Sequence, residues 1–240
     1  GSIAVELPNN ASDAACNMLA GELIADAQLA ATAAPSFGGA AIAFMNRGGV
    51  RTPGFTYRQR AGEGDGNLTY GEAFTTQPFG NSLVTMTLSA QQLKNLLEQQ
   101  FAGCRGQLPT ATRLMIPSAG FKYRWNGSKA CDARVHSVTL TRDGRTETIV
   151  DDSGKVPEPA REYRVTVNSF MASGGDSFST FLKGRAPLGG ALDIDALVDY
   201  MARFKAPNPP YMPGTRPEDG GTPRIQRDAG NACPTGAETD

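Results

Sequence analysis

"AAIAFMNRGGVR", Ala40–Arg51, and "EYRVTVNSFMASGGDSF", Glu162–Phe178, share one design. Each starts as a short apolar or alternating run of strand type. Each then reaches a Gly-Gly pair, the first string directly after Asn46 and Arg47. Glycine reaches backbone conformations closed to other residues and lets another group approach the main chain closely. The chain therefore places two bare turns at the ends of two buried strands, one flanked by Arg47 and Arg51, the other followed by Asp176.

The pattern around these strings is mixed. "SDAACNMLAGELIADAQLAATAAP" reads as a helix, with Leu19, Leu23, Ile24 and Ala27 on one face and Pro35 after its end. "TYGE", Thr69–Glu72, has capping-box spacing, and so does Ser89 with Gln92 ahead of "AQQLKNLLEQQF". "NSLVTMTL" and "FKYRW" read as strands, and "RVHSVTLT" and "RTETIV" flank the turn pair Asp143-Gly144 as a hairpin. "DIDALVDYMARF" reads as a closing helix with Ile194, Leu197, Val198 and Met201 facing the core. Helices and strands mix without strict alternation, so the expected class is α+β, with mixed sheets and packed helices. Pro and Gly dominate from Ala206, so residues 1–205 are expected as one domain and 206–240 as an irregular surface tail.

The 240 residues are 40% hydrophobic and 20% charged, with a net charge of -1. These are the proportions of a globular protein, and they exclude the broad basic surface a nucleic-acid polymer would need. No segment reaches the ~18 consecutive apolar residues of a membrane span. The cysteines are Cys16, Cys104, Cys131 and Cys233, with no C-x-x-C pair and one histidine, His136, in strand-like "RVHSVTL". That argues against zinc and for either buried thiols or two disulfides, the latter implying an oxidising compartment. Cys104 and Cys131 flank predicted strands and are expected to be exposed. Pairing them leaves Cys16 for Cys233, although four cysteines allow three connectivities.

Arg51 offers a planar cationic fork suited to phosphate or carboxylate, and Asp176 an acceptor for two hydroxyls. Taken alone, each string also fits an ordinary tight turn. A third string, "TTQPFGNSL", sets Phe79 in a Pro/Gly loop ahead of Asn81, and Phe170 stands six residues before Asp176. Together "NRGGVR", "QPFGN" and "NSFMASGGDSF", with "GELIADAQL" near the start, resemble the C-terminal domain of the 5′-nucleotidase and UDP-sugar hydrolase family. The likeness runs from about Ala14 to Arg227.

The resemblance implies a substrate-binding domain. Phe79 and Phe170 would sandwich a nucleobase, Asn81 would meet the base edge, and Asp176 would hold the ribose hydroxyls. Asn46 and Arg51 would face the phosphate. Where the family often carries a further phosphate-binding Arg, seven residues before Gly21, this chain has Ala14, and Arg47 is the candidate to replace it. The family's hydrolysis uses two divalent metal ions on an N-terminal metallophosphatase domain. This chain, with His136 alone, is expected to carry no catalytic or metal residue and to act with such a domain in cis. The implied ligand is a nucleoside or 5′-nucleotide such as AMP, and the implied location periplasmic or secreted. The rival readings are a free-standing nucleoside-binding protein without hydrolysis, and a structural domain with a degenerate pocket.

Overall fold

The computed structural model describes residues 1–58, 62–228 and 233. In chain order its elements are β1 (Leu7–Pro8), α1 (Leu19–Thr32), β2 (Ile42–Met45), β3 (Gly54–Phe55), α2 (Tyr70–Thr76), β4 (Ser82–Ser89) and α3 (Ala90–Glu98). Then follow β5 (Ile116–Pro117), β6 (Phe121–Trp125), β7 (Val135–Arg142), β8 (Arg145–Val150), β9 (Glu162–Asn168) and α4 (Ser169–Ala172). The last are β10 (Arg185–Leu192), α5 (Asp193–Ala202) and β11 (Ile225–Arg227). The strands form sheets ordered β1-β3, β10-β4-β9-β2-β5 and β11-β6-β7-β8, an α+β architecture as expected.

The five-stranded sheet positions everything that follows. β2 runs parallel to β9, with Ile42 opposite Val165, while β4 runs antiparallel to β9, with Leu83 opposite Asn168. The carboxyl ends of β2 and β9 and the start of β4 therefore lie at one end of the sheet. Both glycine strings and the Phe79 loop leave from that end. This is the usual place for ligands in sheets of parallel strands, because loops there converge on a rigid frame.

Both capping boxes form: Thr69 and Ser89 accept from the backbone amides of Glu72 and Gln92, whose side chains reach back. Such a cap is worth about 1 kcal/mol. The helix α1 starts at Leu19, later than "SDAACNM" implies, since Cys16 has φ 76 and Asp13 Oδ1 accepts from the amides of Ala15 and Asn17 in a local turn. It is buried on nearly every side, packed against β2 and α5. A helix rich in Ala and Leu holds its form there with no solvent-facing polar stripe, its Glu22 and Asp26 being buried. In α5, Val198 points outward at 36% exposure, whereas Ile194, Leu197 and Met201 are buried as expected. The helical stripe is one position narrower than its apolar sequence.

The segment from Ala206 is more integrated than its composition implies. Ile225 pairs in parallel with Tyr123, and Tyr211, Arg224 and Ile225 are buried. Arg224 binds Asp26 through Nη1 at 2.8 Å and Nη2 at 3.0 Å, and Asp219 through Nη2 at 3.0 Å. A disulfide joins Cys16 to Cys233, and a second joins Cys104 to Cys131. Cys104 is fully buried, against the expectation of an exposed residue, because the turn after α3 folds it inward. Residues 229–232 and 234–240 of the expected tail lie outside the described residues.

Candidate functional site

Six of the seven residues singled out in the sequence line one cleft of about 420 Å³: Asn46, Arg51, Phe79, Asn81, Phe170 and Asp176. Gly48, Gly49 and Asn168 complete its walls. Phe79 and Phe170 are 46% and 47% exposed, so each keeps a large apolar face uncovered. The side chain of Arg51 lies over the Phe79 ring, 4.9 Å from its centroid, a cation–π contact that fixes one face of the ring.

Phe170 has its own support. It lies on α4, which Asn168 caps by accepting from the Met171 amide at 2.9 Å. A Cβ placed on Gly175 would sit 2.5 Å from the Phe170 ring, so only glycine lets the ring lie this close to the turn. Gly49 answers the same question for the first string. A Cβ there would meet Met45 Cε at 2.6 Å and Asn46 Oδ1 at 2.8 Å. The glycine pairs let side chains of their own strings fold back over the main chain.

The two strings are joined by a buried hydrogen-bond relay. Asn168 Nδ2 donates to Asn46 Oδ1 at 3.0 Å, and Asn46 Nδ2 donates to Asp176 Oδ2 at 2.9 Å. The resemblance sets Asn46 on the phosphate side with Arg51; in the structure its side-chain amide donates to Asp176. Asp176 itself has φ 55 and ψ 25, a left-handed conformation for a residue with a Cβ. Such outliers concentrate at functional sites, where surrounding contacts over-determine them.

On the Phe79 side, Asn81 Oδ1 accepts from Ser169 Oγ at 3.2 Å, and the Asn81 carbonyl accepts from the Asp193 amide at 2.8 Å. Burial pushes the Asp193 carboxyl above the usual carboxylate range, opposed first by a hydrogen bond from the Asn81 side chain.

Arg47 stands apart. Its Nη1 donates to the Cys16 carbonyl at 3.1 Å, two residues from Ala14, and it is not among the cleft-lining residues. Three residues were not picked out as site residues. Asn168 lay inside a quoted string, one residue past its apolar alternation. Gln107 and Arg113 lie in the loop between α3 and β5, which has no periodicity to draw the eye.

Among the described residues, no group offers the ligands of a metal pair. Among the described residues, the group of potential ligands within 4.8 Å of one another is Cys104, Cys131 and Asp132, and a disulfide occupies both sulfurs. His136 approaches Ser137 Oγ and Asp228 on β7, as a structural strand histidine would.

Comparison with known proteins identifies the family. The family model of the 5′-nucleotidase C-terminal domain matches residues 3–183. The trifunctional nucleotide phosphoesterase YfkN of Bacillus subtilis is 30% identical over 164 residues, covering 67% of this chain and 10% of that protein. A cell wall protein, Lmo0130, of Listeria monocytogenes is 27% identical over 165 residues, 69% of this chain and 19% of that one. The crystal structure of a 5′-nucleotidase precursor from Thermus thermophilus superposes with a TM-score of 0.70 at 25% identity, over 95% of this chain and 39% of that one. The chain thus spans well under half the length of these relatives. With the strings in order, the cleft assembled from them and the family model matched across three quarters of its length, this chain belongs to the 5′-nucleotidase C-terminal domain family.

Proposed function

We propose that the cleft binds a nucleoside or 5′-nucleotide such as AMP, as the substrate-binding part of a phosphoric ester hydrolase. The observation that carries this reading is the convergence of two half-exposed aromatic faces, a carboxylate and an arginine in one cleft. Phe79 and Phe170 present flat apolar faces for a base, and Asn81 an amide for its edge. Asp176, backed by Asn46, accepts from the ribose hydroxyls, and Arg51 meets the phosphate.

Base stacking is worth about 1–3 kcal/mol per contact and tolerates any base. The domain's part in the reaction is to hold base and sugar in one pose, so that the phosphate is presented in a fixed direction. The hydrolytic groups, including two divalent metal ions, would belong to a metallophosphatase domain in cis, in line with the partial coverage of the relatives. Two disulfides and a cell wall protein among the relatives support an exported location.

Calorimetric titration of adenosine and AMP tests the arrangement. Phe170→Ala should weaken both ligands by about 1–3 kcal/mol. Arg51→Ala should weaken AMP by about 1.5–3 kcal/mol more than adenosine, as expected for a charged hydrogen bond. Equal losses for both ligands on removing Arg51, or no loss on removing Phe170, would refute it.

A further inference from the structure

We infer that Gln107 and Arg113, in the disulfide-pinned loop between α3 and β5, are positioning residues for Asp176 and set the preference for ribose over 2′-deoxyribose. The inference rests on the reading of Asp176 as the acceptor for the ribose hydroxyls.

Asp176 is held from three directions. Gln107 Nε2 donates to its carbonyl at 3.0 Å, Asn46 Nδ2 donates to Oδ2 at 2.9 Å, and Arg113 Nη1 stands 3.5 Å from Oδ1. Gln107 is 3% exposed, and its amide is fully engaged: Nε2 also donates to the Gln99 carbonyl at 3.1 Å, and Oε1 accepts from the Leu108 amide at 3.0 Å. It is a rigid strut between α3 and the left-handed turn. An aspartate at φ 55 relaxes toward ordinary backbone conformations unless such contacts hold it.

The loop behind the strut is itself fixed. The Gln107 amide donates to the Cys104 carbonyl at 3.0 Å, and Cys104 is bonded to Cys131. The Arg113 amide donates to the Gln100 carbonyl at 2.7 Å. Beyond Asp176, Gln99 Oε1 accepts from the Thr180 amide at 3.1 Å and its hydroxyl at 2.8 Å, pinning the other side of the turn to the same helix.

The consequence is a carboxylate with a set orientation. A carboxylate has about four lone-pair sites. Asn46 and Arg113 take one direction on each oxygen, which leaves each oxygen able to accept one further hydroxyl. Two neighbouring hydroxyls fit this arrangement only while the carboxylate plane is fixed. A 2′-deoxyribose brings one hydroxyl and gains less from the fixed plane. A residue that merely stabilised the fold would affect both sugars alike.

The test titrates adenosine and 2′-deoxyadenosine by calorimetry against the full chain, with thermal melting alongside. The wild type should prefer adenosine by about tenfold or more, the size of one hydrogen bond to a charged group. In Arg113→Met and Gln107→Leu the preference should fall below about threefold through loss of adenosine affinity, with 2′-deoxyadenosine unchanged within about twofold. Arg113→Lys should keep more of the preference than Arg113→Met. If Gln107→Leu fails to fold, the Arg113 pair still decides, since that side chain is 22% exposed. A wild-type preference retained in the variants, equal weakening of both nucleosides, or identical behaviour of the Lys and Met variants overturns the inference. A wild type that binds both nucleosides equally sinks it while leaving base stacking intact. A wild type that binds neither removes the proposed function along with it.

Discussion

Glu22 offers a test of how charge is arranged in the core. It is buried on α1, one turn before Asp26, and both carboxylates face Arg224. The guanidinium is not shared evenly: it contacts Asp26 and Asp219 at 2.8–3.2 Å, but its Nε lies 4.0 Å from Glu22 Oε2. One positive charge is already offset by two nearer carboxylates, so Glu22 is the member left over. Burial pushes its carboxyl from 4.5 to about 7; Arg224 opposes the rise, and Asp26, Asp219 and Asp13 add to it.

The sign follows from proton binding. Between pH 4.5 and about 7 the folded protein keeps a proton that the unfolded chain has released. Raising the pH across that window removes a proton the fold favours, so stability falls, and it levels off above about 7. At about 1.4 kcal/mol per pH unit, the loss attributable to Glu22 is about 3 kcal/mol. Glu22→Gln mimics the protonated carboxyl and removes this dependence. Urea unfolding of both proteins from pH 4.5 to 8.5 isolates Glu22 and the carboxylates coupled to it, because every uncoupled titrating group cancels in the difference. The variant's advantage should grow with pH and plateau near neutrality. A flat difference, or one that shrinks as pH rises, would mean that Arg224 stabilises the Glu22 carboxylate more than burial penalises it.

Two further outcomes follow from the same contacts. Arg224→Met leaves Asp26 and Asp219 buried without their cation and should cost about 3–5 kcal/mol in urea unfolding at pH 7, where a loss below about 1 kcal/mol would contradict the hub. Gly175→Ala puts a methyl where the Phe170 ring lies and should weaken adenosine by about tenfold, comparable to losing much of one stacking contact; unchanged affinity would show that the ring is not a base platform.

The strands and caps could be read from sequence because each is written locally. β2, β4, β9 and both capping boxes stand where alternation and spacing put them. Elements set by distant partners could not be read. β11 is three residues long and exists because Tyr123 and its neighbours offer a parallel edge. Arg224 reads as a surface residue until Asp26, nearly two hundred positions earlier, folds against it. β10 is an edge strand, "RAPLGGAL", whose residues are all exposed, so no apolar alternation marks it. The site divides in the same way. Cleft-lining residues sit in strings whose glycines announce themselves, whereas Gln107 and Arg113 act from an unpatterned loop through contacts across about seventy and sixty positions of chain.

Arg47 shows why a string cannot be read as a list of ligands. Arg47 and Arg51 flank the same glycine pair and look interchangeable on paper. Across the turn at Arg47–Gly49 they take different partners: Arg51 lies over Phe79 in the cleft, and Arg47 donates to the carbonyl of Cys16. Cys16 can present that carbonyl because its own left-handed conformation follows the Asp13 turn, next to the disulfide to Cys233. The Arg47 contact therefore joins the first string to the amino-terminal side of α1, and Arg51 is the cation among the cleft-lining residues. In the proposed function, Arg51 would give a nucleotide its advantage over the nucleoside, and Arg47, held two residues from Ala14, stays the candidate for a second phosphate contact.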